Sequence, residues 1–255
     1  MSKILIFGAS GMAGSMITSY LKRHHEVTPI FRKDFDALAD EIPDLSSYDY
    51  VINCIGLIKQ KSDDERLFFA INSEFPKKLS AKHDKIIHIS SDCVFSGKIS
   101  EDKIYYTNDI KDADDNYGKS KAAGEIPESM MVLRTSIIGP SKDNSGLFEW
   151  LRNTTDTVNG FYNHWWSGIT TLELAKIINE IITNNAYKYG IYQISSETIS
   201  KYTLLCIISK IFNIDKVVNI HLDDTPINRA LFPDIKANNL IDQLDELKKH
   251  INEVS

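Results

Sequence analysis

Apolar residues in the first part of the chain fall in short, nearly unbroken runs: KILIFG (3–8), EVTPIFR (26–32), YVINCIG (50–56), KIIHISS (85–91) and MVLRTSIIG (131–139). Continuous runs of this kind, rather than alternating apolar and polar positions, belong to parallel strands covered on both faces. Helix-length segments separate them, as in SMITSYLKR after the first run. The pattern predicts a doubly wound α/β sheet in the first half of the chain. Past Gly139 the rhythm loosens into a loop PSKDNSG, a helix around LFEWLRNTT, a Trp-rich turn NHWWSG and a helix TTLELAKIINEIITNN. A strand GIYQIS, a helix KYTLLCIISKIF and an amphipathic helix NLIDQLDELKKHINEV follow. We expect this sheet to form one domain over 1–140. Residues 141–255 then form mainly a smaller lobe over the carboxyl edge of the sheet, with segments that return to it.

Composition narrows the functional classes. The 255 residues are 42% hydrophobic and 25% charged, ordinary for a globular protein, and are enough for a full core. A formal charge of −6 argues against a nucleic-acid surface, which needs clustered Lys and Arg. No run approaches the roughly 18 apolar residues of a membrane span. The start MSKILIFGASG lacks the parts of a signal peptide, so a cytoplasmic protein without membrane or nucleic-acid partners is expected. Cys54, Cys93 and Cys206 are odd in number and lack metal-ligand spacing, so neither disulfides nor a metal is expected.

The first apolar run passes directly into GASGMAG, with glycines at 8, 11 and 14, and then into a helix. Glycine there tightens the turn and lets the backbone approach a pyrophosphate at the helix N-terminus, where free N–H groups favour an anion. Gly8, Ser10, Gly11, Met12 and Gly14 are therefore the expected cofactor contacts. At the end of the second run a carboxylate would bond the 2′-hydroxyl of NADH, and cations would accept the 2′-phosphate of NADPH. The sequence there is FRKD, with Arg32 and Lys33 ahead of Asp34, so NADPH is favoured and NADH stays open.

The stretch DNYGKSKAAGE places Tyr117 and Lys121 four apart on one face of a helix. A phenol of pKa about 10 is a poor acid at neutral pH, but a nearby ammonium and an oxidised nicotinamide stabilise the phenolate. Lowering it to about 7 needs roughly 4 kcal/mol. Tyr117 then gives a proton to a carbonyl oxygen, and Ser91, at the end of the fourth run, hydrogen-bonds the same oxygen.

Taken together, GASGMAG, VINCIG, AINSEFP, HISSDCVFSG, YGKSK and LRTSIIGP resemble, in order, the extended short-chain dehydrogenase/reductase family. ISSDCVFSG and LRTSIIG are most similar to its dTDP-4-dehydrorhamnose reductase branch. The resemblance implies a Rossmann-type sheet, a nucleotide-sugar substrate with a 4-keto group, and Ser91, Tyr117 and Lys121 as catalytic residues. It also implies that Cys54, Ile55 and Gly56 line the cofactor cleft with Asn72 beside it, and that a homodimer pairs through the helix around Tyr117. NHWWSGITT resembles a sugar-nucleotide loop, which places Trp165, Trp166, Gly168 and Thr170 near the substrate together with Asp92. Arg229 is a candidate for the diphosphate, because an arginine fork matches phosphate oxygens. The tryptophans serve equally well as lobe core.

The chain is shorter than most of that branch, and its carboxyl lobe diverges. Cys93 falls where the reductases resembled tend to carry tyrosine, and where the related epimerase-reductases carry a catalytic cysteine. A C4 ketone acidifies the neighbouring C3–H, and a thiol can move that proton. Lys142 and His164 are candidates for the second acid–base group. Packing of Cys93 as a small hydrophobe is the alternative. The expected activity is NADPH-dependent reduction of a UDP- or dTDP-linked 4-keto-6-deoxyhexulose, N-acetylated or not, with or without C3 epimerisation, in rhamnose-type or N-acetylrhamnosamine-type 6-deoxysugar synthesis. Two rivals stay open: an NAD-retaining epimerase or dehydratase of the same fold, and a non-catalytic dinucleotide-binding subunit.

Overall fold

The computed structural model of the chain describes residues 1–155 and 157–254. The five predicted runs become strands β1 (Lys3–Phe7), β2 (Glu26–Ile30), β3 (Tyr50–Asn53), β4 (Ile86–Ser91) and β5 (Met131–Thr135). Two later strands, Gly190–Ser195 and Ile235–Lys236, join beyond β5. The order across the sheet is 235–236, 190–195, β5, β4, β3, β1, β2, and all neighbours are parallel. Ile4, Leu5, Ile6 and Phe7 are each at most 1% exposed, so both faces of β1 are covered and an unbroken apolar run is what the site requires. Each such side chain contributes about 1.5–3 kcal/mol on burial. Pro29 lies in β2, the edge strand, where a missing N–H costs no ladder bond. The run MVLRTSIIG does not continue as one strand. After Thr135 the chain leaves the sheet, and Ile137–Ile138 pairs with Ile169–Thr170 instead.

The helices are α1 (Met12–Leu21), α2 (Glu65–Phe69), α3 (Phe75–Ser80), α4 (Asn116–Ala123), α5 (Leu147–Asn153), α6 (Thr171–Thr183), α7 (Lys201–Phe212) and α8 (Leu240–Val254). None is long and apolar enough to cross a membrane. One face of the sheet is covered by α1 and α6 through Met16, Ile17, Leu21, Leu174 and Ile178. Phe75 and Leu79 of α3 join Leu5, Phe7, Val51 and Val132 on the other. A separate core of Phe148, Leu151, Trp166, Leu204, Ile208 and Leu244 forms from α5, α7, α8 and the short strands of the carboxyl half.

Two features position the site. Chain order reverses between β1 and β3, which opens a crevice at their carboxyl ends. Between α2 and α3 the helix widens into a π turn, Ala70–Glu74, a distortion often found beside functional sites.

Candidate active site

The crevice between β1 and β3 is an open cleft lined by Gly8, Ser10, Gly11, Arg32, Asp36, Cys54, Ile55, Gly56 and Lys61. Gly8 has φ +78°, and a Cβ on it would lie 2.8 Å from the Cys54 carbonyl carbon. Only glycine lets β1 and the loop after β3 approach so closely. Gly14 acts differently: a Cβ there would stand 2.2 Å from the Gly8 carbonyl oxygen, so its absence packs α1 onto the turn. The N-cap of α1 is Gly11, and no side chain bonds the first N–H groups of the helix. Those donors and the helix dipole fit the pyrophosphate of a dinucleotide.

Two expected contacts carry their side chains elsewhere. Met12 turns toward the carboxyl half, where a Cβ on Gly146 would meet its Cε at 2.4 Å. Lys33 is exposed one residue beyond Arg32 and does not line the cleft. Asp36, which does line it, had no motif to mark it.

At the end of β4 the chain enters a single 3-10 turn, Asp92–Val94. The Ser91 hydroxyl accepts from the Cys93 N–H at 3.1 Å and donates to Asp92 Oδ1 at 3.0 Å. Facing it is the first turn of α4, capped by Asp115, which accepts from the Gly118 N–H at 2.8 Å and from Lys59 Nζ at 2.6 Å. A Cβ on Gly118 would stand 2.2 Å from the Cys93 carbonyl oxygen, so this glycine sets how near α4 comes to the turn. Tyr117 thereby comes beside Ser91, whose hydroxyl favours the ionised phenol. One turn on, Lys121 is buried, and its ammonium donates to the Ile89 carbonyl of β4 at 2.7 Å.

The electrostatics correct one expectation. Burial, followed by Cys93, Asp92 and Asp115, pushes the Tyr117 phenol above its ordinary 10, while the Ser91 hydrogen bond opposes this. Lys121 itself is lowered to about 8 by burial, against Glu125 and Cys54, which raise it. Burial and Asp92 lift the Cys93 thiol to about 11, with Arg229, Ser91 and Lys59 pulling the other way.

Asn72 sits in the π turn, fully buried, and does not line the cofactor cleft. Its amide accepts from Leu57 N–H at 2.8 Å, donates to the Leu57 carbonyl at 3.0 Å and donates to Ser120 Oγ at 3.0 Å. The side chain therefore ties the loop after β3 to α4.

A second cleft opens at the turn after β4. Asp92 and Cys93 line it from the turn, His164, Trp165 and Trp166 from the lobe, and Lys201 and Arg229 complete the wall. Arg229 is held in place by the Phe95 carbonyl, 2.9 Å from Nε, and the Ser96 carbonyl, 3.1 Å from Nη2. Trp166 is 5% exposed and belongs to the lobe core as well as to the cleft. His164 stacks on Phe161 at 4.3 Å, lies 3.3 Å from Asp223 and is held below 6.5, chiefly by burial.

Thr170 and Gly168 do not reach this cleft. Thr170 is fully buried as the N-cap of α6, where its hydroxyl accepts from the Glu173 N–H at 3.1 Å. Gly168 makes room for a chain crossing: a Cβ there would meet the Ser136 carbonyl oxygen at 2.3 Å. Lys142 is exposed on a loop and lines neither cleft. Lys201 escaped the sequence reading because it opens an ordinary amphipathic helix. Only the fold brings that helix start to the cleft.

The chain is similar to solved dTDP-4-dehydrorhamnose reductases. With that of Clostridium acetobutylicum it shares 23% identity at a TM-score of 0.81, covering 98% of this chain and 99% of the other. With that of Bacillus anthracis, solved with NADP, it shares 19% identity, the same coverages and a TM-score of 0.81. It is also similar to a UDP-N-acetylglucosamine 4-epimerase from Methanobrevibacter ruminantium, at 19% identity, 99% coverage of both chains and a TM-score of 0.76. No curated protein matches at a significant level. The profile described as RmlD substrate binding domain matches residues 2–238, nearly the whole chain with its two clefts and the turn after β4, and the protein belongs to that family.

Proposed function

We propose that the protein is an NADPH-dependent reductase of the 4-keto group of a nucleotide-linked 6-deoxyhexulose, carried on dTDP or UDP. The observation that carries this reading is the placement of Tyr117 beside Ser91, with Cys54 beside Lys121 on the dinucleotide side and Cys93 on the second cleft. The solved relative that holds NADP supports the cofactor, as does Arg32 in the first cleft. Asp36 in the same cleft keeps NADH open.

A nicotinamide bound in the first cleft supplies hydride. Tyr117, kept protonated by burial, gives its phenolic proton to the carbonyl oxygen as negative charge develops there. The Ser91 hydroxyl hydrogen-bonds the same oxygen. The ammonium of Lys121, one turn away on α4, stabilises the phenolate that remains. Arg229 and Lys201 supply positive charge to the second cleft, suited to a diphosphate.

A second reading, reduction preceded by C3 epimerisation, is favoured by Cys93. Its thiol lines the substrate side and is protonated at neutral pH, the state needed to return a proton to carbon. His164 lines the same cleft and is the candidate partner, neutral at pH 7 and so able to accept a proton.

The test is NADPH consumption with UDP- and dTDP-linked 4-keto-6-deoxyhexuloses in D2O, with NMR of the product and a control lacking enzyme. Reduction at C4 without solvent hydrogen at C3 means a plain reductase. Enzyme-dependent deuterium at C3 with inversion means an epimerase-reductase. Absence of any turnover, with NAD copurifying, would turn the assignment to the cofactor-retaining epimerases.

A further inference from the structure

Directly beneath the catalytic turn lies an ion pair that the proposed chemistry does not use. Arg134 of β5 and Glu125, just past the end of α4, both have side chains that are 0% exposed. Arg134 Nε donates to Glu125 Oε1 at 3.0 Å and Nη2 to Oε2 at 2.8 Å, a bidentate pair. Ser90, next to Ser91 on β4, donates to Glu125 Oε1 at 2.6 Å, and Lys111 approaches Oε2 at 3.3 Å. Arg134 Nη1 is bound by Gln193 at 3.1 Å, and its guanidinium lies 4.9 Å from the centre of the Phe95 ring. Removing two charges from water is unfavourable by several kcal/mol per ion, and well-packed apolar residues would often be no less stable. Retaining a carboxylate here therefore points to work beyond stability.

Its position indicates which work. Glu125 follows Lys121 by four residues, and the chain still turns there, since the Gly124 N–H bonds the Lys121 carbonyl at 3.1 Å. Cys54 faces Lys121 from the loop after β3 and His88 from β4, both neutral because burial holds the thiol up and the imidazole down. Tyr117 lies one turn back, and Asp115 caps the far end of the helix. On the elements packed against α4, Glu65 and Arg66 of α2 and Glu74 of the π turn are exposed, and Asp92 is bonded to Ser91. Glu125 is thus a buried carboxylate four residues from Lys121, and its charge favours the Lys121 ammonium.

We propose that Glu125 is a positioning residue for the reaction: clamped by Arg134 and Ser90, its carboxylate holds Lys121 as an ammonium and fixes α4 to the end of β4. The inference rests on the reading of Lys121 as the stabiliser of the Tyr117 phenolate, but its test does not need substrate. The protein is labelled with 15Nζ-lysine, the Lys121 signal is assigned through Lys121→Arg, and its titration is followed by NMR. In the wild-type chain the midpoint is expected at about 8. In Glu125→Gln it falls by about one to two pH units. In Lys111→Met, which removes a cation that competes for Glu125, it rises by roughly half a unit. The high-pH limb of kcat/KM moves with these midpoints, a shift that a purely structural role would not produce.

An unchanged midpoint in folded Glu125→Gln overturns the proposal. Should circular dichroism show that variant unfolded, Lys111→Met decides, since Lys111 is one-third exposed; a midpoint unchanged or lowered there overturns the proposal too. A chain that shows both NMR shifts yet reduces no keto sugar sinks the reductase reading and leaves this inference standing. An active reductase without the shifts sinks this inference alone.

Discussion

Tyr117, Ser91 and Cys93 illustrate how much a few ångströms decide at the scale of single residues. The phenol is raised by burial, so it waits as a proton donor rather than as a phenolate. Tyr117→Phe is expected to cut keto-sugar reduction by about 10²–10⁴-fold. NADPH affinity, read by fluorescence titration, stays unchanged. Cys93, lifted to about 11, is expected to react slowly with iodoacetamide at pH 7.5 and to accelerate steadily as the pH approaches that value. Peptide mass spectrometry separates it from Cys206, and rapid alkylation at pH 7.5 would rule out the protonated thiol. Thr170 offers a contrast, because its hydroxyl caps α6 instead of meeting a ligand. Thr170→Ala should lower stability by about 1 kcal/mol and leave the KM for the sugar nucleotide where it was.

At the scale of elements, the site is a set of close approaches between backbone segments. Gly8 admits the loop after β3, Gly14 seats α1, and Gly118 brings α4 against the Cys93 carbonyl. The π turn supplies Asn72, whose amide satisfies both backbone groups of Leu57 and reaches α4 through Ser120. Asn72→Ala strands those groups in a buried place and is expected to destabilise the chain by about 1–3 kcal/mol in urea titrations. NADPH affinity should fall as well, because residues 54–57 lose their anchor. The glycine spacing made the first turn legible in the sequence, but the role of each glycine was not. Gly11 and Gly14 read alike in GASGMAG, yet only at Gly14 would a Cβ collide with backbone, 2.2 Å from Gly8. Gly118 lies inside YGKSK, yet nothing local shows that a carbonyl from the turn after β4 presses on it.

On the scale of the whole molecule, ligand and protons act on one folding equilibrium. At a hundred times its Kd, a cofactor that binds only the folded chain adds about 2.7 kcal/mol, or roughly 5–10 °C in Tm for a chain of this size. A larger shift with NADPH than with NADH at equal concentrations would identify Arg32 as the dominant group over Asp36. His25, His88, His164 and His250 are all held below the ordinary 6.5, in each case chiefly by burial. The unfolded chain therefore takes up protons below pH 6.5 that the folded chain refuses, so the stability they contribute is present above 6.5 and is lost as the pH falls through it. Thermal scans between pH 7 and 5 should show Tm descending; a flat profile would contradict the buried, neutral state of His88.

What the sequence determined by itself was whatever local pattern controls. Unbroken apolar runs specify strands covered on both faces, glycine spacing specifies a turn that admits an anion, and Tyr117 with Lys121 at helical spacing specifies a shared face. Those signals are short-range, so they survive reading along one dimension. Tertiary structure decided what depends on residues far apart in the chain. It sent Ile137–Ile138 out of the sheet to pair with Ile169–Thr170, and made Thr170 a cap. It brought Lys201 to a cleft beside Cys93, and closed Glu125, Arg134 and Ser90 into one buried cluster at the end of β4. The reason is physical: burial and charge proximity set the protonation of Tyr117, Lys121 and Cys93, and both are properties of packed neighbours rather than of any stretch of sequence.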